Sequence, residues 1–168
     1  MTTIEPDVVL TYEGHQMKND KGEPFTSNVN GIALTHDNKY FYFKPINAYG
    51  LYRIETKFLA DEKLSDKALK EKVEFVGNTV ITHGMSADKK GNIYLTSSID
   101  YSIKYVTPAG VLKTLVQDKR LLWPDSLGIG SDGYLYFTAA QINMEAAWHN
   151  GENKVEYPYQ VYRVKLPE

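Results

Sequence analysis

Cysteine is absent from this 168-residue chain, so neither a disulfide nor a thiolate metal site can form. Long apolar runs are absent as well, and no stretch approaches the roughly 18 consecutive apolar residues of a membrane-spanning helix. The first residues, Met1-Thr2-Thr3-Ile4-Glu5-Pro6, carry neither the basic region nor the apolar core of a signal peptide. That pattern leaves the compartment open between the cytoplasm and, for a chain trimmed from a longer precursor, an extracytoplasmic space. Excess charge is also missing. Nineteen Lys and Arg stand against 21 Asp and Glu, a net charge of −2, with an isoelectric point near 6.1. So balanced a chain has no electrostatic footprint for nucleic acid or for an anionic membrane.

What remains has the composition of one soluble domain, 42% hydrophobic and 24% charged, long enough to bury roughly 70% of its unfolded surface. The one excess is 13 Tyr, which fall mostly in strand-like runs and favour an all-β chain.

One segment type occurs three times. It reads Asn30-Gly31-Ile32-Ala33-Leu34, then Asp37 and Tyr40-Phe41-Tyr42-Phe43. It returns as His83-Gly84-Met85-Ser86-Ala87, then Asp88, Gly91 and Asn92-Ile93-Tyr94-Leu95. The third copy is Asp125-Ser126-Leu127-Gly128-Ile129, then Asp132-Gly133 and Tyr134-Leu135-Tyr136-Phe137. Each copy is a polar residue, a short small-and-apolar strand, a turn, and an aromatic-rich strand. The copies begin 53 residues apart (30 to 83) and 42 apart (83 to 125), near the period of radially repeated β-sheets.

Around these units the pattern predicts a strand over Val8–Tyr12 and a long polar loop from Glu13 to Pro24. The first unit continues through Leu51–Ile54 to Val73–Val76, with a short helix capped by Ser65-Asp66 inserted before its last strand. The second runs through Asn92–Thr96, Ser102–Val106 and Leu112–Val116, a four-stranded meander of blade size. The third carries a long loop, Ala139–Tyr159, between Tyr134–Thr138 and Gln160–Val164. The expectation is a single all-β domain over 1–168, a partial β-propeller of about three four-stranded blades. The blades span 30–77, 83–117 and 125–166, and 1–29 is a strand and loop from a preceding blade. Three blades are too few to close a ring of four to eight. A second copy of the chain, or a missing N-terminal half, is expected to complete it.

The elements Asn30-Gly31-Ile32-Ala33-Leu34, Leu115-Val116-Gln117-Asp118, Leu122-Trp123-Pro124-Asp125-Ser126-Leu127 and Val161-Tyr162-Arg163-Val164 resemble the C-terminal half of yellow/major royal jelly proteins, most of all bacterial ones. That family is similar in turn to the six-bladed senescence-marker-protein/gluconolactonase propellers. In those lactonases a divalent metal sits on the axis, held by Glu, Asn, Asn and Asp at the starts of innermost strands. The resemblance places Asn30 at one Asn ligand and Asp125 at the Asp ligand, which there is also the general-base candidate. Ser126 stands where the motif has Gly, and the Glu and the other Asn would lie outside the matched half. The resemblance assigns no role to His83, the equivalent residue of the middle repeat.

Innermost strands line a propeller channel, so Asn30, His83 and Asp125 are expected to converge there. Amide and carboxylate oxygens suit Ca²⁺ or Mg²⁺, whereas His83 would favour Zn²⁺ or Mn²⁺, or act as a base beside Asp125. The alternative role for all three is capping strand ends between blades. Trp123, Gln141, Asn143 and Trp148 are candidate ligand contacts at the channel mouth, Trp148 as a lid. A blade-packing role for Trp123, and a covering role for the loop, stand beside that reading. His15, His36 and His149 fall in polar loop sequence and are expected to be solvated. The composite expectation is a small-molecule-binding propeller, with a metal-dependent lactone hydrolase as the alternative.

Overall fold

A computed structural model describes residues 1–168. The chain opens with a small hairpin, β1 (Thr11–Tyr12) paired antiparallel with β2 (His15–Gln16). Its turn residues Glu13 and Gly14 both take positive φ, 45° and 84°, the geometry of the tightest hairpin turns. The expected strand over Val8–Tyr12 is confined to Thr11–Tyr12, and the expected loop from Glu13 instead folds back at Glu13-Gly14 into β2. The hairpin pairs with no blade strand. It is anchored by Leu10, Tyr12 and Met17, which pack with Ile46, Ile81 and Trp123 from three successive parts of the chain.

The three repeats form three antiparallel sheets. The first holds β3 (Val29–Leu34), β4 (Tyr40–Pro45), β5 (Gly50–Glu55) and β6 (Glu74–Asn78), in that order. Between β5 and β6 lie α1 (Thr56–Leu59) and α2 (Asp66–Lys70). The Ser65 hydroxyl accepts from Ala68 N at 3.3 Å and so starts α2 where the sequence places a cap. The second sheet holds β7 (Met85–Ala87), β8 (Ile93–Ser97), β9 (Ser102–Val106) and β10 (Leu112–Gln117). The third is β11 (Pro124–Ile129), β12 (Tyr134–Ala139) and β13 (Gln160–Lys165), without a fourth strand. Its β12–β13 loop carries two single 3₁₀ turns, Ile142–Met144 and Ala146–Trp148.

Strand alternation makes the middle sheet the filling of a sandwich. Ile93 and Leu95 of β8 pack with Ala33, Tyr42 and Leu51 of the first sheet. Tyr94, between them in sequence, points the other way, to Leu135 and Phe137 of the third. All five residues of β8 are buried as a result. The innermost strands lie side by side in the order β3, β7, β11, and glycine permits the approach. A Cβ on Gly31 would stand 2.7 Å from Met85 Sδ, and one on Gly84 only 1.9 Å from the Asp125 carbonyl oxygen. The outer faces of the end sheets stay open. Ile32 and Leu34 on β3 and Val161 on β13 are exposed, and an apolar groove of about 870 Å³ runs along the first sheet past Ile32, Phe41 and Leu59.

Candidate functional site

The polar residues that open the first and third repeats sit where their innermost strands depart from regular pairing; in the middle repeat His83 precedes β7, which pairs with β8 in unbroken register. In β3 the register jumps between Val29, opposite Pro45, and Gly31, opposite Lys44, so Asn30 is the extra residue of a bulge. In β11 it jumps between Pro124, opposite Ala139, and Leu127, opposite Phe137, so Asp125 and Ser126 share one partner, Thr138. Bulges re-aim side chains at sheet rims. Asn30 is exposed and Asp125 half-buried. Desolvation lifts the Asp125 carboxyl above the ordinary aspartate value, and the neighbouring Trp123 indole opposes that rise.

Facing residues on the second strands hold these openings in place. The Thr96 hydroxyl accepts from His83 N at 3.2 Å and Gly84 N at 2.9 Å. The Thr138 hydroxyl accepts in the same way from Ser126 N at 3.2 Å. In the first sheet the equivalent residue, opposite Gly31, is Lys44. Its side chain is fully buried, and its ammonium donates to Ala48 O at 2.7 Å and to Val80 O. Burial pushes the Lys44 amine down to about 7.

His83 does not open onto the channel. It is 3% exposed, and its ring lies flat against Trp123 at 3.9 Å between centroids. Its Nε2 is 2.8 Å from Ser98 Oγ. Burial, with a smaller push from the charge of Lys44, takes the imidazole down to about 3, so it is neutral at physiological pH. Of the three side chains expected to face inward together, His83 lies behind an indole, while Asn30 and Asp125 stand at strand bulges. No three His, Asp or Glu side chains are grouped so as to hold a metal ion.

The mouth residues divide by what already occupies them. Trp123, at φ 52°, is sandwiched between Tyr12 (6.0 Å) and His83, with Phe25 edge-on at 5.4 Å. Gln141 is spent on the loop, its amide exchanging hydrogen bonds of 2.9 and 2.8 Å with the Glu156 backbone. Trp148 meets Phe25 edge-on at 5.1 Å. Asn143 is buried with its Oδ1 unpartnered. His15 and His149, expected in solvent, are instead half-buried and face each other at 5.4 Å, with His15 Nε2 3.2 Å from Trp148 O. Sequence reasoning also passed over Lys44 and Tyr12. Lys44 had a signal, a lone cation in the aromatic run Tyr40–Pro45 where the other repeats carry Thr; Tyr12 had none.

A family model describing the major royal jelly proteins matches residues 2–167. The chain belongs to the major royal jelly protein family. Among solved structures, a gluconolactonase from Xanthomonas campestris is similar at a TM-score of 0.57 and 15% identity, over 90% of this chain and 46% of that one. A chain of the nidogen/laminin complex is similar at 0.53 and 15%, over 95% and 59%. Hydrazine synthase from Kuenenia stuttgartiensis is similar at 0.57 and 10%, over 97% and 44%. This family member thus spans about half the length of the structures it matches. At such identities the likeness is one of fold, and propellers of that fold serve unrelated ends. No curated protein matches the chain in sequence.

Proposed function

We propose that this chain is a small-molecule-binding β-propeller unit whose site lies at the openings of its innermost strands, with Asn30 and Asp125 as contacts. The observation that carries this reading is the half-buried Asp125 carboxyl, set at a bulge beside the buried Trp123 and lifted by desolvation. Natural sheets leave so costly a group at a strand opening where it serves recognition or chemistry. The ligand's polar groups would meet the Asn30 amide and the Asp125 carboxylate, and the uncovered end faces would be covered by a second copy or by further blades.

A second reading, lactone hydrolysis, draws support from the same carboxyl. A raised Asp125 is a better proton acceptor from water at neutral pH than an ordinary aspartate, and a gluconolactonase is among the structures of similar fold. The divalent ion that reading entails does not fit this chain alone, since Asn30 and Asp125 offer two side-chain donor groups and Ca²⁺ takes six to eight oxygens. Hydrolysis of glucono-δ-lactone, followed with and without Ca²⁺, separates the two readings. Turnover lost in Asp125→Asn supports the enzyme. Ligand binding without turnover, weakened at least ~10-fold in Asp125→Asn, supports the binding unit. Binding indifferent to both Asn30→Ala and Asp125→Asn would sink both.

A further inference from the structure

The two open end faces of the chain are the two sides of a joint that it already contains. At the joint of the first and second sheets, one side presents Tyr40 and Tyr42 of β4, with Arg53 of β5 opposite Tyr42. The Arg53 guanidinium lies over the Tyr40 ring at 4.3 Å and donates to Tyr42 Oη at 3.2 Å. The second sheet covers that side with Met85, Ile93, Leu95 and Val106. The open side of the third sheet repeats the covered arrangement. Arg163 stands opposite Tyr136, lies over the Tyr134 ring at 4.6 Å and donates to Tyr136 Oη at 3.3 Å. Its side chain is 57% exposed, against 31% for Arg53. The open side of the first sheet repeats the covering arrangement. Register pairs Ile32 with Phe43 and Phe41 with Ile54, as it pairs Met85 with Leu95 and Ile93 with Val106. These four residues line the apolar groove of the first sheet.

Each end therefore bears the complement of the other, and open apolar faces of this kind mark sites of association. We propose that two copies of this chain join head to tail at these faces into a six-bladed ring, and that each ligand site is shared, with Asp125 of one copy beside the partner's Asn30. The innermost strands of one copy lie in the order β3, β7, β11. A second copy seated on the third sheet sets its own β3 next to β11. Within one chain Asn30 and Asp125 belong to the end blades and β7 stands between them. Across the joint they belong to adjoining blades, as His83 and Asp125 do in one chain. A twofold axis along the channel makes the two joints identical and leaves no face open, and six blades lie within the range that closes. The inference rests on the function proposed above, in which Asn30 and Asp125 are ligand contacts, and adds the partner that completes the site.

Cross-linking between two variants tests the shared site. Chains carrying Asn30→Cys and chains carrying Asp125→Cys hold the only thiols, since the parent has no Cys. The two are unfolded and refolded together and treated with a short bismaleimide. The mixture should give a covalent species of about 38 kDa, twice the 19.1 kDa chain, holding one chain of each kind. Either variant alone should give little of it. No ligand enters the measurement, so its failure is distinct from a failure of Asn30 and Asp125 to contact a ligand. Ile32→Lys and Arg163→Glu, at exposed positions on opposite sides of the joint, each set an unpaired charge in it. Each should lower the cross-linked yield at least ~10-fold, with an unchanged circular dichroism spectrum. Three results overturn the proposal: a single-chain mass for the parent in sedimentation at micromolar concentration, a mixture that cross-links no better than either variant alone, or a yield indifferent to both Ile32→Lys and Arg163→Glu.

Discussion

Asp125 is a residue the fold holds at a cost. Because burial raises its carboxyl above the unfolded value, the folded chain binds this proton more readily than the unfolded one. Stability therefore falls as pH rises through the interval between the two values, and the full cost applies above both. Asp125→Asn removes the charge and keeps the shape. At pH 7 it should melt at the same temperature as the parent or higher, and the advantage should vanish below about pH 3.9, where the unfolded carboxyl is protonated. A clear loss of melting temperature at pH 7 would show that Asp125 is structural. Gly84 is the opposite case. Its Cβ would sit 1.9 Å from a backbone oxygen of the next blade, so Gly84→Ala should destabilise by about 3 kcal/mol or more in urea denaturation.

At the scale of the element, the repeated turns show how much of the fold was legible. Period-two alternation and the Asp/Gly/Asn turns placed β3 to β13 to within a residue or two, because strand pattern and turn chemistry are local properties. The aspartates of those turns are structural. Asp88 accepts from Lys90 N, Asn92 N, Asn92 Nδ2 and Tyr94 Oη at 2.8–2.9 Å. Asp88→Ala should cost on the order of 3 kcal/mol by denaturant melt, since it strands buried donors of the turn and of β8. The same change at the exposed Asp132, which accepts from Tyr134 N and Tyr136 Oη, should cost far less. The candidate site was legible only in part. The repeat pointed to Asn30, His83 and Asp125, but not to Trp123 lying over His83, since that contact joins residues 40 positions apart (83 to 123) across two blades. The β1–β2 hairpin was missed for a related reason, as its anchors come from Ile46, Ile81 and Trp123.

For the whole molecule, two buried bases set the response to pH. His83, held down to about 3, favours the folded state increasingly as pH rises from about 3 to about 6.5, because over that range the unfolded chain binds the extra proton. Lys44, held down to about 7, does the same between about 7 and 10.5. Stability should thus climb across both windows. Lys44→Met should flatten the alkaline climb and raise the melting temperature below pH 7; an unchanged alkaline slope in that variant would refute the assignment. The uncovered end faces bear on assembly. If two copies cover one another, sedimentation should give a species of about 38 kDa, twice the 19.1 kDa chain. A species of single-chain mass at micromolar concentration would leave the covering to further blades.

Lys44 also limits how far the three blades can be treated as copies. Thr96 and Thr138 perform one task with one atom, so the second and third blades are candidates for exchange at that position. The first blade spends the same position on a cation that reaches the carbonyls of Ala48 and Val80 and acts on His83 in the next blade. Installing Thr at 44 would supply the missing acceptor for the strand opening but remove the field that the neighbouring imidazole feels. The repeat is therefore directional, and a chimera built by shuffling its blades would keep the architecture while losing the asymmetry between them.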